Sequence, residues 1–429
     1  MRALIGAQLI LLAVVAVGTA FSFSRFTLDE RAHFAYVESV ATDLSIPEVG
    51  VDLVSPSIAA VHEGTYPAPP RVPPARQGLG GQSYEGFQPP LYYAVAVPAF
   101  ELAGGDYQRK LRVVRLFNVL LLAGTVLLLW LLVRRVAGPD GSAQAMFALA
   151  LTVLLWPGVV LRAVTVSNAS LELLLGMGLA LASWVVWERR NARWLPALAL
   201  LLGAGMLTRL ALVAFAPVVA VVAFDLLRRA TTPARALAAG AGLAAIPLLV
   251  LAPWLAHNWD VYGALTGESA IRALQEPLLN PKGTQFGFGE FTDGVRGLSR
   301  AVVPDEWWVK FLSAPWRIAG YLLAIAFIAV VALGLARLPR ERAARLATIG
   351  VVPVLATLAW ITYALFVGNW NFFLPRYLYP ELAVLGVVAA VCVRALGGAR
   401  WVLGSAAGLT VALAALWLYL ATSVTPFTG

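Results

Sequence analysis

The chain has 429 residues, 60% hydrophobic and 13% charged, with a formal net charge of +9 and a mean hydropathy of +0.78. Soluble domains are roughly 45–50% apolar and about 25% charged, so a soluble globule is excluded. The single cysteine, Cys392, excludes an intramolecular disulfide framework and a Cys-based metal site. The positive charge lies in short arginine clusters between apolar runs, as the positive-inside bias of a membrane protein predicts and a nucleic-acid surface does not require.

Hydropathy and loop punctuation predict spans near 4–22, 113–133, 143–160, 169–187, 194–208, 210–227, 235–256, 314–336, 345–367, 376–396 and 401–421. The fold class is therefore an all-α polytopic membrane protein with about eleven transmembrane helices. Residues 1–22 are expected to be a retained first span rather than a cleaved signal peptide, because Arg2 alone is a weak basic region and the apolar run is long. Segment 91–103 is predicted to be interfacial or re-entrant, since 13 residues reach only about 20 Å as a helix. With that segment outside the count, fourteen arginines fall on cytoplasmic loops and only Arg162, Arg209 and Arg376 on short exterior ones. The long segments 23–112 and 257–313 are then both exterior lids on a single membrane domain, 1–429, the first of them the expected catalytic loop. Residues 64–82, rich in Pro and Gly, are expected to be a flexible loop.

After the first span comes FTLDERAHFAYVESV, where Thr27 can cap a helix and Asp29 and Glu30 suit its first turn. Asp29 and His33, spaced i, i+4, share a face with Tyr36 and Val37, while Glu30 points sideways. The plainer reading is that the two acids merely answer the helix dipole. A second motif on the same loop, YEGFQPPLYY at 84–93, adds Glu85 before a helix whose start is fixed by Pro89 and Pro90.

The D-E-x-x-H stretch followed by E-x-x-Q-P-P-L-Y-Y resembles the first exterior loop of GT-C superfamily membrane glycosyltransferases. The likeness is closest to bacterial relatives of protein O-mannosyltransferases that use polyprenyl-phosphate sugars. It continues through RLFNVLLLAGTVLLLWLLVRR, VSNASLELLL, LTRLALVAFAP, HNWDVYG and PRYLYP. The resemblance implies that Asp29 is the catalytic base, with Glu30 adjacent and Glu85 as the second-motif acid. The sequence departs from the family at Gly86 and Phe87, positions often polar in relatives, and carries no large C-terminal soluble domain.

Outside the membrane a sugar donor must arrive activated on a lipid, and its phosphate leaves readily as an anion, so one carboxylate base suffices. The leaving phosphate calls for fixed positive charge, and Arg209 and Arg376 lie at exterior span ends where a guanidinium can grip it. His33, Gln88, Tyr92, Arg209, Arg376 and Tyr377 are accordingly the expected substrate-binding residues, and Asp29, Glu30 and Glu85 the expected catalytic ones. Asn168 is expected to be a helix cap rather than a substrate contact, and Arg162 to meet lipid headgroups rather than the donor phosphate. His257 and Asn258 open the second loop, and Trp259, Tyr262, Trp307 and Trp308 are expected to form an aromatic belt. No cofactor is implied; the alternative is a divalent metal held by Asp29, His33 and Glu85.

The expected function is inverting hexosyl or pentosyl transfer from a polyprenyl-phosphate-linked donor to a protein, lipid or glycan acceptor, with membrane lipids as further partners and no nucleic acid. An arginine-rich, lysine-poor chain, 29 against 3, points to a GC-rich bacterium and hence to the cytoplasmic (inner) membrane, with the site on its exterior face. The competing reading is a transporter or flippase of a lipid-linked glycan, which should instead place broken or charged helices at mid-membrane. A scaffold that has lost its catalytic residues is a third, against which Asp29 and Glu85 argue.

Overall fold

The computed structural model describes residues 1–22, 29–58, 83–138, 142–230, 232–267, 314–367 and 375–423, less the side chains of residues 22, 230, 314–324, 361–376 and 420–423. Among these residues the architecture is helical. In chain order it comprises α1 (Arg2–Ser22), α2 (Glu30–Asp43), a 3₁₀ turn (Tyr84–Phe87), α3 (Leu91–Leu102), α4 (Tyr107–Ala137), α5 (Ala143–Leu154), α6 (Pro157–Val164) and α7 (Ala169–Arg189). There follow α8 (Leu195–Thr208), a 3₁₀ segment (Leu210–Phe215), α9 (Ala216–Ala230), α10 (Pro233–Tyr262), α11 (Ala314–Ala336), α12 (Arg340–Leu346), a π turn (Ala347–Val351), α13 (Val352–Val367), a 3₁₀ turn (Pro375–Leu378) and α14 (Tyr379–Ser423).

Among the described residues seven helices are long and apolar enough to cross a membrane, or eight if the bent pair α5 and α6 is one span. The chain is thus an integral membrane protein of all-helical polytopic type. All eleven segments expected to span are helical where they are described. The expected spans 376–396 and 401–421 are the two helices of α14, which meet at a kink at Gly398 (φ 73°, ψ −174°), a backbone conformation that glycine adopts without steric cost. Segment 194–208 is a shorter apolar helix, and α5 and α6 meet at a 70° bend. Segment 91–103 forms α3, itself too short to cross.

The main core runs through the bundle. α14 packs along α5, α4 along α7, and α8 along α10. α1 belongs to the same core through Leu12, Ala16 and Ala20. Buried Gln8 fastens α1 by donating from Nε2 to Ala148 O (2.7 Å) on α5 and Thr410 Oγ1 (2.8 Å) on α14. α4 begins with a real cap, Asp106 Oδ1 accepting from Gln108 N at 3.0 Å. Its other end carries Arg134 and Arg135 in the last turn, where a helix dipole favours cations. Its terminal carbonyls are answered from elsewhere in the chain: Val136 O accepts from Arg342 and Ala137 O from Arg394 Nη1 at 2.9 Å.

A second, smaller core lies over the opposite end of α4. Phe34, Tyr36 and Val37 of α2, Tyr92, Tyr93 and Phe100 of α3, and Leu111 and Val114 of α4 are all buried together there with Val166 and Leu171. The amphipathic helices α2 and α3 therefore bury their apolar faces on the rim of the bundle and hold the first-loop motifs against it.

Candidate functional site

Asp29 occupies the N-cap position of α2 with helical backbone angles (φ −86°, ψ −7°), and its side chain makes no cap bond. The carboxylate turns instead towards two other elements. Oδ1 accepts from Tyr84 Oη at 3.1 Å, and Oδ2 lies 3.5 Å from Arg162 Nη1 of α6. Both groups keep contact with solvent, the Asp29 side chain being 23% and the Arg162 side chain 12% exposed. Thr27, the expected cap, lies outside the described residues.

One turn on, His33 stands above the same 3₁₀ turn, as its spacing from Asp29 predicts. His33 Nε2 is 3.8 Å from Glu85 Oε1, and Nδ1 shares a 2.8 Å hydrogen bond with Tyr93 Oη. Tyr93 stacks on Tyr36 with ring centroids 3.7 Å apart. Burial pushes both phenols well above their ordinary value near 10, and at Tyr93 the Glu85 carboxylate adds to this, so both stay protonated in neutral solution. Tyr36 Oη in turn donates to Gln88 O at 3.3 Å.

Gly86 has a steric reason. A Cβ at this position would meet Pro47 O at 1.8 Å, so only glycine lets the segment after α2 close over the turn that carries Glu85. That segment is fastened at Val49, whose N–H donates to Tyr262 Oη at 3.0 Å. Tyr262 ends α10, so the helix runs past His257 and Asn258, which the sequence placed at the start of a loop. Trp259 is exposed as an aromatic anchor would be, whereas Trp307 and Trp308 lie outside the described residues.

Glu30 points away from Asp29, to α4. Arg115 Nε and Nη2 grip its two oxygens at 2.7 and 2.6 Å, and Val166 N donates to Oε1 at 2.8 Å. The pair is closed to solvent, at 0% and 1% side-chain exposure. One turn along α4, Asn118 Oδ1 accepts from Tyr92 Oη (3.1 Å) and Ser170 Oγ (2.9 Å), while Nδ2 donates to Thr165 O (2.8 Å). Tyr92 is thus wholly buried on α4 and the turn before α7 rather than beside Asp29. Sequence reasoning passed over Arg115 and Asn118. The signal was there, since a polar or ionisable residue in an apolar helix has to have a partner.

Deeper in the bundle, Arg209 follows the end of α8 in an extended conformation (φ −159°, ψ 128°). Its Nη1 lies 2.6 Å from Glu172 Oε2 of α7, and its guanidinium sits 4.6 Å from the centre of the Tyr377 ring. Glu381 is buried nearby and accepts from Thr357 Oγ1 at 2.9 Å. Arg376 follows Pro375 in the 3₁₀ turn; its side chain lies outside the described residues. Asn168 occupies the N-cap position of α7 yet makes no side-chain cap bond. Its Nδ2 reaches both Gln88 Oε1 and Thr208 O, each at 3.3 Å. Among the described residues no group of three or more His, Cys, Asp or Glu is arranged to hold a metal ion.

A polytopic helical protein with an acid-bearing site on its rim, beside Arg162, is the class that fold and geometry define. Residues 88–257 match the model of the dolichyl-phosphate-mannose-protein mannosyltransferase family. This is about two fifths of the chain, and it bears out the likeness seen in the loop motifs. The matched stretch takes in Arg115, Asn118, Arg162, Asn168, Glu172 and Arg209, and stops short of Asp29, Glu30, His33 and Glu85. No curated protein and no solved structure matches the chain.

Proposed function

We propose that this protein is a membrane glycosyltransferase that moves a sugar from a polyprenyl-phosphate carrier to a hydroxyl-bearing acceptor on the exterior face of a bacterial cytoplasmic membrane. The family match over 88–257 supports the class of reaction and donor. The observation that carries the reading is the meeting of a partly exposed carboxylate, Asp29, with the Arg162 guanidinium at 3.5 Å on the rim of the bundle.

In this reading Asp29 accepts the acceptor's hydroxyl proton as the oxygen attacks the anomeric carbon. The bond from that carbon to the phosphate oxygen breaks with its electron pair going to the lipid phosphate, and the configuration inverts. Arg162 stands where it can answer the charge on the leaving phosphate, a role the sequence gave to Arg209 and Arg376. Arg209 is already matched by Glu172 and Tyr377, which suits it to holding the site's shape. Glu85 and His33 flank the acceptor side, and Glu30 acts through Arg115 as a positioning residue. No step needs a metal ion.

The test is transfer from a panel of radiolabelled polyprenyl-phosphate sugars by purified protein in lipid. Asp29→Asn is expected to lower turnover by about 10²–10⁴-fold, the usual worth of a general base, with the melting temperature unchanged. Full activity in that variant would remove Asp29 as the base. Movement of a lipid-linked glycan across vesicles, with no donor consumed by the wild type, would establish transport instead.

A further inference from the structure

We propose that Asn168 is a positioning residue which couples the first-loop turn bearing Glu85 and Gln88 to the helix break that presents Arg209; the proposal rests on the transferase reading above. An Asn at an N-cap ordinarily spends its side chain on the first free N–H groups of its own helix. Asn168 does not: the Ser167 hydroxyl accepts from Ala169 N at 3.4 Å, and the Asn168 amide crosses to other elements. A local preference overridden in this way is the mark of a position whose tertiary role outweighs its propensity.

The two N–H groups of the buried Asn168 amide meet two acceptors. One is Gln88 Oε1, at the end of the 3₁₀ turn. Gln88 is itself fixed by its N–H donating to Glu85 O at 2.9 Å and by Tyr36 Oη donating to its carbonyl. The other acceptor is Thr208 O, at the end of α8, where the helical hydrogen-bond ladder stops and Arg209 turns to extended backbone. Backbone carbonyls freed inside a membrane protein have to be satisfied by a neighbour. One amide therefore holds the Glu85 turn and the Arg209 break at a fixed distance, and Arg209 is close enough to act electrostatically on Tyr93, the partner of His33. A shift of either element moves the Glu85 turn against Arg209 and the shape it holds.

The experiment pairs Asn168→Ala and Asn168→Asp, the latter of the same shape but without the N–H donors, with Gln88→Met and the Asn168→Ala/Gln88→Met double variant. Each is reconstituted in lipid with dolichyl-phosphate mannose and its bacterial polyprenyl analogue. Amide hydrogen exchange is followed in peptides covering 84–94 and 205–215. Misplacement of a reacting group by about 1 Å can cost roughly 10²-fold, so each single variant is expected to lower kcat by about that factor. KM is expected to move far less, the double variant to be no worse than either single one, and exchange to rise in both segments. Losses that multiply in the double variant, or faster exchange confined to α7, overturn the coupling. If the wild type uses neither donor, the transferase reading fails for these donors. Exchange alone then decides: a rise in both segments upholds the link and a confined rise overturns it.

Discussion

Asp29 and Glu30 are neighbours, and each faces an arginine, yet the two pairs are built for opposite ends. Glu30 and Arg115 meet in bidentate fashion at 2.6 and 2.7 Å, sealed from solvent, with a backbone N–H completing the carboxylate's partners. Asp29 and Arg162 stand 3.5 Å apart, both partly exposed, and a tyrosine hydroxyl also donates to the carboxylate. Little more than a quarter-turn of helix, about 100°, separates a carboxylate sealed from solvent from one that is partly exposed. Burial, rather than residue type, distinguishes them.

That contrast can be broken directly. The largest effect is expected from Arg115→Ala, which leaves Glu30 buried and uncompensated; loss of about 3–5 kcal/mol is the usual cost of such a break. Thermal unfolding of the purified protein should show it, while Glu30→Met with Arg115→Met together should cost far less. Wild-type stability in Arg115→Ala would mean that the sealed pair does not hold α2 to α4. Next in size, Arg162→Ala is expected to leave the melting temperature almost unchanged and to lower transfer by about 10²-fold, as loss of one charge-stabilising donor does. Arg162→Lys should recover part of the activity, since it restores the charge without the planar fork. A variant that lost stability and kept transfer would reverse the roles given to the two arginines. Gly86→Ala sharpens the comparison from the other side of the site. The added methyl is forced against the Pro47 carbonyl, a clash that typically costs about 1–3 kcal/mol. Exchange should rise over 45–49 and 84–88, and transfer should fall as Glu85 shifts.

The same loop shows how far the residues could be read in one dimension. The i, i+4 spacing of Asp29 and His33 placed both over one face, and the structure sets both against the turn at 84–87. It also put Glu30 to the side, without saying what lay there. The answer, Arg115, is 85 positions away, and its contact depends on how α4 stands against α2. Arg162 was weighed as a headgroup contact because its span end is all that hydropathy reveals. Its approach to Asp29 follows from the bend between α5 and α6, which no periodicity encodes. Asn168 was read as a cap for the same reason: local propensity is the default where long-range partners are invisible.

Sequence alone determined the membrane class and the helical segments, because hydrocarbon demands long apolar runs with internally satisfied backbones, and that demand is local and additive along the chain. It also determined which carboxylates stand together on the first loop, since a helix fixes its own faces. Tertiary structure decided which carboxylate is sealed and which is open, and which arginine stands beside the open one. These depend on the α5–α6 bend and on contacts between residues far apart in the chain. A charged group's role is set by the dielectric and partners around it, and only the folded arrangement supplies either.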